Sequence, residues 1–484
     1  MSYKVVINVL GKTLLIAGVL LLLPLIINFI YREAFWQSFV YPAAGLILVG
    51  LLMSLIRPRE KSLLAKEGIV IVALAWLFLS LVGAVPFVIS GAIPNYIDAL
   101  FETASGFTTT GASVLSNVEA LPHCILFWRS FTHYLGGMGV LVFVLAVIPK
   151  SDGAMHIYRA ESPGPTASKL VSKMSYTARI LYGIYVAMSV VLFLMLLFGG
   201  VPAFDSVMLS FSTAGTGGFA ITNNGVAAYN SVYVEVVISV FMFLFSINFN
   251  VYYLILVGSA KKAFKSEELR WYAIMIFAAI ALVTVNLYVT CKEMYASLGG
   301  ALKDAAFHVT AISSTTGISN NVDFDKWPTF SKAILFVVMI CGAMAGSTGG
   351  GIKMGRIMLL FKTCIRDIKK TLHPRSVNTI KFEDEAVDSL TLHNAQTFLS
   401  LWFALVVVTT IILSVDGFDL LTNISASITC LNNVGPGFGS VGPLMNYSGY
   451  AWYSKLILTF DMLAGRLEIF PMIILMPPST WRRG

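Results

Sequence analysis

Ten long apolar runs divide this chain and limit it to folds that sit in a lipid bilayer. A transmembrane helix needs about 20 mostly apolar residues, and most of the runs approach that length. The runs cover residues 14–29, 40–56, 68–89, 131–148, 180–198, 232–257, 272–288, 333–345, 398–413 and 451–476. The 484 residues are 57% hydrophobic and only 12% charged, about half the charged fraction of a soluble domain. We therefore predict an all-α integral membrane protein with ten spans.

The first run and the distribution of charge predict how the chain is inserted. Residues 14–29 follow Lys4 and Lys12 and precede no small-residue cleavage site, so we expect a retained helix and not a signal peptide. Cytoplasmic loops of membrane proteins carry an excess of lysine and arginine. Basic residues collect here at both ends of the chain and within residues 57–66, 150–179, 261–270 and 353–381. The pattern predicts cytoplasmic termini, and it explains the net charge of +8 without a nucleic-acid partner.

Four polar motifs stand in the connections on the opposite side of the membrane. They read FTTTGAS (107–113), AGTGGFA (214–220), SSTTGIS (313–319) and LNNVGPG (431–437). Aligned, they share the glycines Gly111, Gly218, Gly317 and Gly435. Each motif follows a moderately apolar stretch that is too short to span a bilayer, which predicts a half-helix before each motif. Acids or a threonine suit the start of such a helix, and the expected starts lie near Asp98, Asp205, Asp304 and Thr422.

The repeated unit is a span, a half-helix, a polar loop and a second span. Four copies on one side of the membrane indicate an internal repeat. The predicted organisation is two extra helices in residues 1–60 and repeats in residues 61–152, 153–260, 261–375 and 376–484, arranged around a central pore. The third repeat is expected to contain an intramembrane loop.

Physical constraints favour an ion filter at the four motifs. Non-helical backbone at membrane depth is tolerated only where it is buried in protein or lines water. Glycine permits positive φ, so that successive carbonyls can face one axis, and rings of carbonyls replace the water shell of a monovalent cation. The predicted filter consists of Thr109, Thr110, Gly111, Thr216, Gly217, Gly218, Thr315, Thr316, Gly317, Asn433, Val434 and Gly435. Ordinary extracellular turns rich in Gly, Ser and Thr remain the alternative.

A glycine-rich stretch interrupts the second span of the third repeat. Residues 342–356 read GAMAGSTGGGIKMGR, and six of these fifteen residues are glycine. Each glycine costs a helix roughly 1 kcal/mol against alanine, so a helix through this stretch would be weak. Close helix packing through small residues is the alternative. A phosphate-binding loop is not indicated, because the GxxxxGK[ST] pattern is not met.

Charged side chains within the apolar runs are few. Arg466 lies in the last run, where a charge costs at least about 2.5 kcal/mol and must face water or a partner; Asp461 and Glu468 are candidate partners. Asn248 could bond between helices or line a cavity. Structural roles are favoured for Arg129 and His133. Four outer acids are candidates for concentrating cations at a pore mouth, namely Glu102, Glu119, Asp323 and Asp325.

Five motifs carry a resemblance to a known family over essentially the whole chain. They are TTTGAS, STAGTGGFA, SSTTGISNN, NNVGPGFGS and the C-terminal MLAGRLEIFP. The chain resembles the TrkH/KtrB/HKT superfamily of potassium transporters and channels, most closely its bacterial TrkH branch. Glycine at all four filter positions implies potassium, with K⁺ bound at Thr110, Gly111, Gly217, Gly218, Thr316, Gly317, Val434 and Gly435. The strands differ from the symmetric TVGYG filter, which makes weaker discrimination against Rb⁺, Cs⁺ or Na⁺ plausible.

The resemblance also implies a gate and partners. The gate would be an intramembrane loop beneath the filter, formed by Gly346, Ser347, Thr348, Gly349, Gly350 and Gly351. Lys353 would stand near its cytoplasmic end. Arg466 would lie below the filter, as an electrostatic barrier to cations and as an anchor for the glycine-rich loop. The family implies a homodimer in the bacterial inner membrane and a cytosolic ring of nucleotide-binding subunits, called TrkA in the TrkH branch.

The leading hypothesis is therefore a potassium-uptake pore without enzyme chemistry or a required cofactor. A sodium- or proton-coupled potassium symporter is the alternative, although such proteins usually use inverted repeats and intramembrane carboxylates. An integral-membrane enzyme would want clustered acids, histidines or cysteines. The six histidines are dispersed and the five cysteines have no metal-ligand spacing.

Overall fold

The protein is described from a computed structural model, which describes residues 2–56, 65–139, 174–375 and 378–481. Within these ranges, six helices are long and apolar enough to cross a membrane: Tyr3–Ile30, Trp36–Ser54, Lys66–Ile89, Ala178–Phe198, Glu267–Thr290 and Ser389–Asp416. The predicted all-α membrane class is confirmed, but the ten runs do not form ten straight spans. Some predicted features lie partly or wholly outside the described residues. These are the span at 131–148, the basic loops at 57–66 and 150–179, and the first repeat boundary.

The N-terminal pair of helices packs through glycine. One member of the pair is α1 (Tyr3–Leu20), continued by the short α2 (Pro24–Ile30) as a single span, and the other is α3 (Trp36–Ser54). A Cβ built on Gly11 would lie 2.8 Å from the carbonyl oxygen of Gly50, so the two backbones approach closely.

The first two motifs each follow a short helix. The first region contains α4 (Ala65–Gly83), α5 (Val85–Ile89), the half-helix α6 (Tyr96–Phe107) and α7 (His123–Gly137). The second contains α8 (Met174–Phe198), the half-helix α9 (Ala203–Gly215), α10 (Val232–Phe245), α11 (Phe249–Leu256) and α12 (Ala260–Phe264). Asp98 and Asp205 lie in the first turns of their half-helices, as predicted.

The apolar run at 232–257 is broken, not straight. Helices α10 and α11 meet at 89° across residues 246–248. The Asn248 side chain caps α11 by accepting from the backbone N–H of Asn250 at 2.9 Å. The freed backbone bonds to the glycine-rich loop, because Phe249 N donates to Gly346 O at 3.0 Å and Met344 N donates to Ser246 O at 3.2 Å. Such partners allow a break at membrane depth.

The third region contains the interruption predicted from its glycines. It runs through α13 (Glu267–Thr290), the half-helix α14 (Leu298–Ser313), α15 (Thr329–Cys341) and α16 (Met354–Leu372). An antiparallel hairpin of β1 (Lys381–Phe382) and β2 (Glu385–Ala386) follows. The prediction that α14 starts near Asp304 is wrong, because the helix begins six residues earlier, at Leu298, where the Ser297 side chain caps it by accepting from Gly300 N.

The fourth region completes the series. It contains α17 (Ser389–Leu413), the half-helix α18 (Leu420–Asn432), α19 (Trp452–Arg466), α20 (Phe470–Ile474) and α21 (Pro478–Trp481). Thr422 lies in the first turn of α18, which Asp419 caps by accepting from Thr422 N at 3.2 Å. In the described part of the chain, 3-10 turns lie in the connections at Gly225–Tyr229, Phe324–Lys326, Ser414–Asp416 and Gly439–Val441.

Candidate functional site

The four half-helices end in one repeated backbone geometry. Just after each helix end a residue adopts the left-handed conformation: Thr109 (φ 57°), Thr216 (55°), Thr315 (59°) and Asn433 (55°). Two residues later the motif glycine also has positive φ: Gly111 (81°), Gly218 (79°), Gly317 (64°) and Gly435 (94°). Left-handed backbone costs an ordinary residue roughly 1–2 kcal/mol. The same two steps in four places give four similarly shaped strands, here called filter strands 1 to 4 (109–111, 216–218, 315–317 and 433–435).

The filter strands contact one another in a closed cycle. A Cβ built on Gly111 would overlap the carbonyl oxygen of Gly217, and one on Gly218 would overlap that of Thr316. A Cβ on Gly317 would overlap the carbonyl oxygen of Val434, and one on Gly435 would come within 2.5 Å of that of Thr110. Each motif glycine therefore faces a carbonyl of the next strand, and the fourth faces the first. The structure brings all twelve predicted filter residues together.

Polar contacts link the four regions in the same cyclic order. Asn223 N donates to Glu119 at 2.9 Å, between the first and second regions. Val226 N donates to Ser319 O at 2.9 Å, between the second and third. The other two links are Gly439 N to Asp325 at 2.7 Å and Lys455 Nζ to Asp98 at 2.6 Å. Burial raises the pKa of Asp325, while the Gly439 N–H bond opposes that shift.

Glu102 is not a surface acid, and its prediction as part of a pore mouth is wrong. Its side chain is fully buried and pairs with Arg129, with Nε and Oε1 at 2.7 Å. It also accepts from Ser113 Oγ and from Val114 N, each at 2.9 Å. Because a buried carboxylate needs such partners, Glu102 holds the outer end of filter strand 1 to α6. This agrees with the structural role expected for Arg129.

The glycine-rich loop lies against filter strand 3. Gly350 N donates to Thr315 Oγ1 at 2.6 Å, so the loop bonds to the left-handed residue of that strand. Thr348 Oγ1 donates to Phe245 O at 3.0 Å, at the break between α10 and α11. Lys353 Nζ donates back to Gly349 O. Thr348, Gly349 and Gly350 are buried, whereas Gly346 is exposed and Ser347 and Gly351 are half-buried.

Arg466 joins the loop to the filter. Its Nη1 donates to Thr348 O at 2.7 Å and lies 3.4 Å from Thr109 Oγ1, while its Nη2 donates to Gly137 O at 2.7 Å and to Gly136 O. The arginine thus contacts the loop, filter strand 1 and the end of α7. Glu468, a candidate partner for Arg466, instead forms an ion pair with Arg356.

Sequence reasoning missed Glu268, which holds both ends of the loop. One carboxylate oxygen accepts from Ala345 N and from Gly355 N, each at 2.9 Å. Glu268 is 4% exposed and lies in the first turn of α13. The sequence shows Glu268 just before an apolar run. Its hydrogen-bond partners, however, lie about 80 residues away in the sequence, and no local pattern identifies them.

Among the described residues, no group of three His, Cys, Asp or Glu side chains could hold a metal ion. The candidate site is made mainly of backbone. Four strands with positive φ form a cycle, and the positively charged side chain of Arg466 lies beside it.

Comparison with known proteins agrees with this architecture. The family model described as "TrkH: Cation transport protein" matches residues 34–481. The fold and site are thus those of a multi-pass membrane transporter, not of an enzyme. The chain belongs to the TrkH family.

Individual relatives match over full length. The Trk system potassium uptake protein TrkH of Salmonella typhimurium is 33% identical over 488 residues, covering 100% of both chains. The protein of the same name from Escherichia coli K12 is 32% identical with the same coverage. The crystal structure of the potassium transporter TrkH from Vibrio parahaemolyticus superimposes with a TM-score of 0.89 at 31% identity, covering 100% of both chains.

Proposed function

We propose that this chain carries potassium into the cell across the bacterial inner membrane, through a pore lined by the four filter strands. The observation that carries the proposal is the closed cycle in which each motif glycine faces a carbonyl of the next strand. The printed names of the relatives, which are potassium uptake proteins, supply the ion.

In the proposed pore, backbone carbonyl oxygens would bind K⁺. Thr110, Gly217, Thr316 and Val434 offer the carbonyls that meet at the neighbouring glycines, and carbonyl oxygens replace the hydration shell of K⁺ in filters. The membrane potential supplies about 2.3 kcal/mol per charge per 100 mV for inward movement of a cation. Uptake through such a pore needs no chemical step.

The loop of residues 346–351 and Arg466 are proposed as the gate. Arg466 places a positive charge beside filter strand 1 and fastens the loop through Thr348 O. A cation leaving the filter would meet both the loop backbone and this charge. Opening would require the loop to leave Arg466, Thr315 and Glu268.

Regulation would come from the cytoplasmic side. We propose that both termini lie in the cytoplasm, because basic residues near the ends of spans favour that side. Helix α16 follows the loop directly and carries exposed Lys369 and Lys370 near its end. We propose that a cytosolic ring of nucleotide-binding, TrkA-like subunits acts on this segment, that the pore protein is a homodimer, and that the nucleotide binds to the ring and not to this chain.

The test is cation flux into liposomes that contain this chain alone under a potassium gradient. The wild type is compared with Arg466→Ala, with Arg466→Lys and with deletion of residues 346–351. Hydrogen bonds to a charged group are worth about 1.5–3 kcal/mol each. Loss of even one should favour the open loop by about tenfold or more. We expect potassium flux to rise in Arg466→Ala and in the deletion, and to rise less in Arg466→Lys, which keeps the charge.

Two results would change the proposal. Flux that requires a sodium or proton gradient would favour the potassium symporter. Absence of flux from every variant, in protein shown to be folded and inserted, would mean that the four loops do not line a pore.

A further inference from the structure

Phe219, the residue that follows Gly218, packs against two side chains of α7. The guanidinium carbon of Arg129 lies 3.5 Å from the centre of the Phe219 ring. The imidazole of His133 lies 4.1 Å from the same ring, centre to centre. Residues four apart share one face of a helix, so one face of α7 contacts the residue that follows filter strand 2.

The hydrogen bonds of His133 fix its chemical form. Its Nδ1 donates to the carbonyl oxygen of Gly106 at 2.8 Å, because a carbonyl can only accept. Its Nε2 accepts from Phe219 N at 3.3 Å, because an amide N–H can only donate. His133 is therefore the neutral tautomer with its proton on Nδ1. The side chain is fully buried, so water cannot take over either bond.

The same ring packs behind filter strand 2. A Cβ built on Gly217 would overlap the imidazole of His133, so the strand backbone rests directly on this side chain. The Phe219 peptide is fixed on its other side as well, since Ser212 Oγ donates to Phe219 O at 2.6 Å. His133 thus links the half-helix α6, through Gly106, to strand 2.

We propose that neutral His133 is a positioning residue for ion selectivity, which sets the place of filter strand 2 through the amide of Phe219. This inference rests on the proposed function of the four strands as a filter. Selectivity in carbonyl filters depends on the number and placement of the oxygens. A strand 2 that loses its support can adjust to a smaller ion, so discrimination between K⁺ and Na⁺ falls.

Two substitutions separate the two bonds of His133. In His133→Asn the amide nitrogen can take the place of Nδ1 and keep the bond to Gly106 O, while the acceptor for Phe219 N is lost. In His133→Gln the longer side chain can present its oxygen where Nε2 was and keep the bond to Phe219 N. Both variants remove the ring, so each is the control for the other.

Two readouts are needed. The first is the ratio of K⁺ to Na⁺ flux in liposomes, with thermal unfolding recorded on the same samples. The second is hydrogen exchange of the peptide containing Phe219, which reports strand 2 whether or not the protein conducts. We expect His133→Asn to lower the flux ratio by about tenfold, the effect of about 1.4 kcal/mol, and to speed exchange at Phe219. His133→Gln should restore most of both at similar thermal stability.

The possible outcomes distinguish the positioning role inferred for His133 from the proposed potassium-pore function on which it rests. Equal flux ratios and equal exchange in the two variants would overturn the positioning role while leaving the proposed function intact. Faster exchange in His133→Asn with an unchanged flux ratio would reduce His133 to a structural support and overturn its role in selectivity. Absence of potassium flux from both the folded wild type and folded Arg466→Ala would overturn the proposed function and this specificity role together.

Discussion

Replacing Glu268 by alanine should open the proposed gate by removing a support of the loop that lies outside the four filter strands. The carboxylate accepts from Ala345 N and Gly355 N, which flank the loop of residues 346–351. Removing it leaves two buried N–H groups without that acceptor, at a cost of about 1–3 kcal/mol each. If the open loop can hydrate these groups, the closed state loses at least about 2 kcal/mol, which is about 30-fold in the open fraction.

The assay is potassium flux into liposomes, with Glu268→Gln as the matched control. Glutamine keeps a carbonyl oxygen of the same reach, so both N–H groups retain an acceptor, although such bonds are weaker than those to a carboxylate. We expect flux to rise strongly in Glu268→Ala and weakly in Glu268→Gln. Wild-type flux from Glu268→Ala, in protein whose thermal unfolding shows it to be folded, would refute the idea that this acid holds the loop closed.

Two further expectations concern the filter strands. Gly218→Ala should reduce potassium flux by tenfold or more, because its Cβ would overlap Thr316 O in addition to the roughly 1–2 kcal/mol cost of left-handed backbone. Gly258→Ala is the control, since Gly258 has the same φ of about 80° and open space around it; equal loss in both would mean that strain alone acts. Tyr447→Phe removes a 2.8 Å bond to Gly435 O, worth about 0.5–1.5 kcal/mol, and should lower the K⁺ to Na⁺ flux ratio by less than about tenfold. Tyr450→Phe, which loses a bond to Asn423 away from the filter, should leave the ratio unchanged, and a fall in both would argue against the specific role of Tyr447.

The sequence predicted the features that depend on local chemistry. Glycine is needed where backbone must take positive φ beside another backbone, so Gly111 and its three equivalents could be found by aligning short motifs. The break after Cys341 was equally readable, because six glycines in fifteen residues cannot favour a helix. The roles of these residues in conduction and gating stay predictions.

The sequence did not predict features that depend on the direction of the chain or on contacts between residues far apart in the sequence. Hydropathy across 232–257 is continuous, and it does not report that the chain turns by 89° at residues 246–248. The polar Asn248 was the visible signal, and its function as a cap required the structure. Glu102 was expected outside because its segment was predicted to lie on that side, whereas Arg129, 27 residues away, holds it in the interior.

The four filter strands share a backbone geometry, but each is held by a different contact. Strand 1 is held through Glu102, strand 2 through His133, and strand 4 through Tyr447. Strand 3 differs, because its Thr315 hydroxyl accepts from Gly350 N of the glycine-rich loop itself. A loop that swings away must release this bond, and Arg466 adds a second link from the loop to Thr109 of strand 1. The filter and the loop beneath it are thus one hydrogen-bonded unit. If the loop is the proposed gate, its opening would change the support of two of the four strands, so we expect perturbations of the loop to alter selectivity as well as conduction.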